Sequence, residues 1–313
     1  MPRRCPRLTD TALAWAAINQ VEDLGAAAML RLARVFGSAQ AALEAGPEDL
    51  VRRARLSWRH AQELAALGRL RGRLAEQIAA WSRDGISLVA MGEEAYPAAL
   101  LDLRSPPPLL YLRGSLRPGD ARAVAVVGTR QPSADGATRA QQIALALAAR
   151  GFTIVSGLAR GIDTAAHWGA LTHPRGRTVA VLGCGLQRIY PPENAHLAEA
   201  VARRGALLAE VAPHATVNRR CLLARDRVQA ALARAVVVVQ AHAECGSIVT
   251  ARHARACGRL LLGVPWCEPP FSHGWQRLRQ LGARPIEPEA DLDDLAELIE
   301  AYRPRARQHV LPS

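Results

Sequence analysis

The chain contains no lysine: all 40 of its basic residues are arginine. It also lacks any apolar run near the roughly 18 residues that a membrane-spanning helix needs, so no such helix is expected. The first residues, MPRRCPRLTDTALAW, carry charge but neither an apolar core nor a small-residue cleavage site. No secretory signal is read there, and a cytoplasmic protein is expected. Six cysteines, at 5, 184, 221, 245, 257 and 267, are scattered without a C-x-x-C pair. That spacing fits reduced thiols and argues against a zinc ribbon or a disulfide scaffold. A repeat of roughly 20–50 residues, the mark of solenoids and propellers, is missing. So is a G-x-G-x-x-G turn: GTRQPSADG has glycines only at 128 and 136, and the next strand ends in Ser156 where a ribose-binding acid is sought. A dinucleotide is therefore not expected, and no cofactor is assigned.

What is present is unevenly placed positive charge, with a formal net charge of +12. From Asp120 to Pro285 there are 21 arginines against 9 acids, whereas Ile286 to Ser313 holds 3 against 7. A concentrated positive surface favours phosphate partners through counterion release. Arginine excess also arises as solvated surface in a compositionally biased chain, so the motifs have to decide.

Residues 1–84 are expected to form a small helical domain, because apolar positions recur with a period near 3.6 in TALAWAAINQVEDL, AAMLRLARVFG and HAQELAALGRLRGRLAEQIAAW. Residues 85–119 form an extended lead-in, with three prolines at 106–108 that forbid helix. Within 120–285, apolar runs alternate with helical stretches: AVAVVG, FTIVS, TVAVLG, ALLAE, AVVVVQ and RLLLGV, with a basic helix near 224–234. The expected class is α/β, a Rossmann-like parallel sheet with helices on both faces, preceded by the helical domain. An acidic helix (Leu292 to Tyr302) and tail occupy 286–313.

Three stretches carry candidate chemistry. In SGLARGIDTAAHWGAL, glycines at 157 and 161 let backbone approach a ligand, Ser156 offers a hydroxyl, and a helix starting near Ile162 points N–H groups at an anion. The turn after AVAVVG repeats that arrangement with Gly128, Thr129 and Arg130. Asp163 and His167, four apart, are read as a network holding the turn rather than as metal ligands, since no third ligand is near in sequence. RRCLLARDR is the densest cationic segment, with arginines 219, 220, 225 and 227 around Asp226. ECGSIVTAR places Gly246, Ser247 and Thr250 at another strand-to-helix turn.

Together, VVGTRQPSADG, SGLARGIDTAAHWGAL and TVAVLGCGLQRIYPPEN, followed by LLAEVAP, ARDRVQAALA, VVVVQAHAECGSIVTARHARACGR and LLLGVP, resemble the DNA-processing protein A (DprA/Smf) family over about residues 86–285. The resemblance implies a non-enzymatic protein that binds and protects single-stranded DNA, loads the recombinase RecA during natural transformation, and forms a homodimer. It implies DNA contacts by Gly128, Thr129, Arg130, Ser156, Gly157, Arg160, Gly161, Arg219, Leu222, Arg225, Asp226, Arg227, Gly246, Ser247 and Thr250. Leu222 stands where the family has an aromatic side chain and Asp226 where it has asparagine; Gln240, Cys245, Trp266 and Gln276 are further departures, and the winged helix that many members carry at the C-terminus is not expected. Two other readings compete. A related nucleotide phosphoribohydrolase loop falls at ECGSIVTAR, with Ala251 and Arg252 where its catalytic glutamate belongs. A paralogue that binds partners but no longer DNA is the third.

Overall fold

The computed structural model describes residues 9–68, 71–287 and 292–303; Cys5 and the tail after Arg303 lie outside them. The first helices are α1 (Asp10–Ile18), α2 (Ala26–Phe36), α3 (Ala39–Glu44), α4 (Pro47–Ala54), α5 (Trp58–Gly68) and α6 (Arg71–Arg83). Their ends follow local chemistry. Thr9 and Ser38 accept from backbone N–H groups in the first turns of α1 and α3, Gly37 closes α2 at φ 87°, and Pro47 opens α4. Trp15, Met29, Leu32, Leu50, Leu64 and Trp81 share one apolar cluster with sheet residues Ile86, Leu88, Tyr111 and Leu207. Trp81 meets Tyr111 edge-on at 5.6 Å between ring centroids, so the helical region is packed onto the sheet.

The sheet has nine strands: β1 (Ile86–Ala90), β2 (Leu109–Gly114), β3 (Ala123–Val127), β4 (Thr153–Ser156), β5 (Arg177–Leu182), β6 (Ala206–Ala209), β7 (Ala235–Val238), β8 (Leu260–Gly263) and β9 (Arg284–Pro285). Their order is β1-β2-β6-β5-β4-β3-β7-β8-β9. The pairs among β3 to β9 are parallel, while β1–β2 and β2–β6 are antiparallel. The segment read as an extended lead-in thus adds two strands to the sheet.

Alternation along the central strands assigns the faces. Val124 and Val126 of β3 pack with α7 (Ala134–Ala149) and α8 (Ile162–Thr172), whereas Ala123, Ala125 and Val127 pack with α10 (Arg219–Leu232) and α11 (Gly246–Ala256). The remaining helices are α9 (Ala195–Arg204), α12 (Phe271–Gln280) and α13 (Leu292–Ala301). α13 buries Leu295, Ala296 and Ile299 in the same cluster as α7. The basic helix starts earlier than the sequence suggests, at Arg219 rather than near 224, because the Asn218 side chain caps it by accepting from Cys221 N–H at 2.8 Å.

Candidate nucleic-acid interface

The strand order reverses between β3 and β7. Strands β3 to β6 progress in one direction and β7 to β9 in the other, so the loops leaving the carboxyl ends of β3 and β7 part and leave a crevice. A cleft of about 570 Å³ occupies that place. Its walls are the turn after β3 (Gly128, Thr129, Arg130), the turn opening α11 (Cys245, Gly246, Ser247, with Thr250), and one face of α10. That face carries Leu222, Arg225, Asp226 and Gln229, spaced by three and four residues. A smaller neighbouring pocket adds Gly157, Arg160 and Gly183, and shares Arg130, Tyr190, Leu222 and Arg225 with the cleft.

The floor of the cleft is a buried ionic cluster. The Arg225 side chain lies with Nη1 3.7 Å from Asp163 Oδ2 and Nε 3.2 Å from Asp226 Oδ1, and Nη1 donates to Val181 O at 3.3 Å. All three side chains are under a tenth exposed. Burial pushes the Asp226 carboxyl up to about 6; Arg225 pulls against this and Asp163 adds to it. His167 is also buried and held neutral, its pKa lowered to about 3 by burial and by Arg225. Its Nδ1 lies 2.7 Å from Thr178 Oγ1, which itself donates to Ile154 O. The imidazole therefore carries its proton on Nδ1 and donates it to the threonine oxygen.

This floor changes the reading of several residues. The corner around Gly157 and Gly161, expected to receive an external anion, is filled from within. Asp163 Oδ2 accepts from Gly157 N–H at 3.0 Å and Ala159 N–H at 3.4 Å, and Ile162 N–H donates to Thr129 O at 3.2 Å. Gly157 is glycine because a Cβ there would lie 1.2 Å from Arg225 Nη1; Gly161, at φ 75°, would bring one to 2.5 Å from Thr129 O. Ser156 is not open to phosphate either, since it is fully buried and donates to Val126 O at 2.7 Å. Arg225 is a structural member of the floor rather than a free clamp. Asp226, which the resemblance implies as a DNA contact, is buried against Arg225. Arg227 faces away: it ion-pairs with Glu210 and donates to Ser105 O at 2.8 Å.

Three arginines remain exposed around the opening: Arg130, Arg160 and Arg219. Arg160 pairs with Glu193. Among the described residues, no carboxylate lies within ion-pair distance of Arg130 or Arg219. Ser247 and Thr250 are buried in the wall, with Ser247 Oγ 2.7 Å from Cys245 Sγ. Gln240, one of the departures, braces the β3 turn: Oε1 accepts from Ser133 N–H at 2.9 Å and Nε2 donates to Ser133 Oγ at 3.0 Å. Among the described residues, no group of three or more histidine, cysteine, aspartate or glutamate side chains is placed to hold a metal. No helix among them is long and apolar enough to cross a membrane. Sequence reasoning missed Tyr190, Leu223 and Gln229 in the lining. Gln229 was findable from the spacing along α10, once its start at Arg219 is known.

The family model for DNA recombination-mediator protein A matches residues 87–299, about two thirds of the chain. This chain belongs to that family. The match runs from β1 into α13 and so includes every wall of the cleft. The Smf protein of Synechocystis is 39% identical over 222 residues, covering 69% of this chain and 56% of that relative, so the chain spans little more than half of its length. Among solved structures, DNA processing protein A of Streptococcus pneumoniae superposes with a TM-score of 0.76 at 27% identity, covering 91% of this chain and 97% of that one. A structure of DNA processing protein A from Helicobacter pylori, described for its single-stranded DNA binding mode, gives 0.62 at 29% identity over 70% of this chain and 97% of that one.

Proposed function

We propose that this chain binds single-stranded DNA along the β3–β7 cleft, protects it, and passes it to RecA during natural transformation, without catalysing a reaction. The observation that carries the reading is the pair Arg130 and Arg219, exposed on two walls of one cleft with no carboxylate within ion-pair distance of either among the described residues. Membership of the family, and the binding mode for which the Helicobacter pylori relative is described, support it. Arg130, Arg160 and Arg219 hold phosphates. Gly246 offers its backbone amide beside them, Ser247 and Thr250 form the wall behind it, and Gly128, Thr129 and Gly161 set the shape of the turn. Arg225 and Asp226 shape the floor. The protein works as a cytoplasmic homodimer. The hydrolase reading draws no support from the α11 turn, where buried Ala251 and exposed Arg252 follow Thr250.

Fluorescence anisotropy with labelled single-stranded and duplex oligonucleotides at several salt concentrations tests this. Single strands are expected to bind more tightly, with steep salt dependence, and Arg130→Ala and Arg219→Ala each to reduce the slope of log affinity against log salt by roughly 0.7. Equal affinity for duplex, or no salt dependence, refutes it.

A further inference from the structure

The cleft has an apolar rim that phosphate binding does not use. Of the large apolar side chains that stay exposed among the described residues, Tyr190 (36%) and Leu223 (41%) both line it. Leu222 lines both the cleft and the smaller pocket, close enough to the turn after β5 that a Cβ on Gly183 would lie 2.9 Å from its Cδ2. Tyr190 is the one aromatic side chain among the described lining residues, and it borders both the cleft and the smaller pocket. The chain that follows it is anchored: Pro191 is buried, and Asn194 Nδ2 donates to Leu158 O at 2.8 Å and to Thr164 Oγ1 at 2.9 Å. An exposed ring beside exposed arginines suits a ligand that is anionic along one edge and flat and apolar along the other. Among polyanions, a single-stranded nucleic acid has that character, because its base faces are free, whereas a duplex stacks them inside.

We infer that Tyr190, with Leu222 and Leu223, forms a base-receiving ledge, so that Arg130 and Arg219 hold the phosphates while unstacked bases turn onto the tyrosine ring, and the ledge rather than the arginines discriminates single strand from duplex. The inference rests on the DNA-binding reading above and deepens it. It assigns the stacking task to a side chain outside α10, on the segment between β5 and α9, where Leu222 itself has no aromatic face to offer. Stacking is insensitive to counterions, so the ledge and the arginines have separable signatures.

The test compares the full chain with Tyr190→Ala, Tyr190→Trp and Tyr190→Ala/Leu223→Ala on three labelled probes: oligo-dT, an abasic strand of equal length, and a duplex. Tyr190→Ala is expected to weaken oligo-dT binding by roughly 5- to 150-fold, the range for one lost stacked base. Affinity for the abasic strand, the salt slope and the melting temperature are expected to stay near wild type. Tyr190→Trp is expected to restore or tighten oligo-dT binding, which a merely structural role for the phenol does not produce. Equal loss on oligo-dT and abasic strands, or no loss even in the double variant, overturns the ledge while leaving the phosphate contacts standing. So does a wild-type protein that binds the abasic strand as tightly as oligo-dT. A wild-type protein that binds none of the probes overturns the DNA reading and the ledge with it.

Discussion

Asp226→Asn isolates the charge state of the cleft floor. In the folded chain the Asp226 carboxyl is raised to about 6, roughly two units above an ordinary aspartate, a shift equivalent to about 3 kcal/mol. The sign follows from proton counts. Between about pH 4 and pH 6 the folded chain holds more protons than the unfolded one, so this group favours folding most below its unfolded pKa, and that advantage is lost as pH rises through the folded value. At pH 7.5 the charged carboxylate therefore costs the fold up to about 3 kcal/mol relative to its neutral form. Asparagine supplies that neutral form and keeps an oxygen for Arg225 Nε, now 3.2 Å from Asp226 Oδ1. The variant is expected to be more stable than wild type in urea unfolding at pH 7.5, with the gain vanishing near pH 4. Removing a negative charge from the cleft also tightens single-strand binding by about 1 kcal/mol at low salt, and less at high salt. That second gain should be small at pH 5, where the wild-type carboxyl is already largely protonated. A variant less stable than wild type at pH 7.5 refutes the reasoning, because the carboxylate is then an indispensable partner of Arg225.

Arg227 should behave differently from the arginines at the cleft. Arg227→Ala is expected to leave the salt slope of DNA binding unchanged while lowering the melting temperature, because its partners are Glu210 and Ser105 O rather than the cleft. Gly157→Ala places a methyl where Arg225 Nη1 lies and displaces the guanidinium from Asp163 and Asp226. Leaving buried charges unpaired costs roughly 3–5 kcal/mol, read as a fall in the urea midpoint. His167→Asn addresses a second buried titrating group. With a folded pKa of about 3 against an ordinary 6.5, the unfolded chain takes up a proton first, so wild-type stability falls as pH drops from about 6.5 towards 3. The variant should lose that slope in chemical denaturation; an unchanged slope refutes the assignment.

Much of the sheet was legible because its central strands are buried on both faces and read as unbroken apolar runs, as in AVAVV and AVVVV. The antiparallel edge was not, since the segment 85–119 carries strand and proline signals together and nothing local states which edge a strand joins. The glycine-rich turns were recognised as close-approach sites, yet what approaches is the chain itself. Gly157 makes room for a guanidinium 68 positions away, a contact that no local pattern encodes. Around α10 the information was present but masked by the misplaced helix start. With Asn218 taken as the cap, positions 222, 225, 226 and 229 fall on one face, and 227 lies about 200° from 225 at 3.6 residues per turn.

The missing lysines bear on the same distinction. In the core, several arginines act as internal brackets whose several donors reach carbonyls that a single ammonium could not span. Arg204 donates through both terminal nitrogens to Leu171, His173, Pro174 and Gly176 carbonyls. Arg177 grips Asp120 through two nitrogens and also donates to Arg204 O. Arg259 reaches Asp102, Ala99 O and Ala231 O. Such residues raise the net charge without offering it to a ligand, so the excess of 21 arginines over 9 acids in the core overstates the field at the cleft. The arginine that matters for a polyanion is the one whose fork is left unfilled by the protein. By that criterion Arg130 and Arg219 are set apart from Arg225 and Arg227, although Arg219, Arg225 and Arg227 lie on one helix within nine residues.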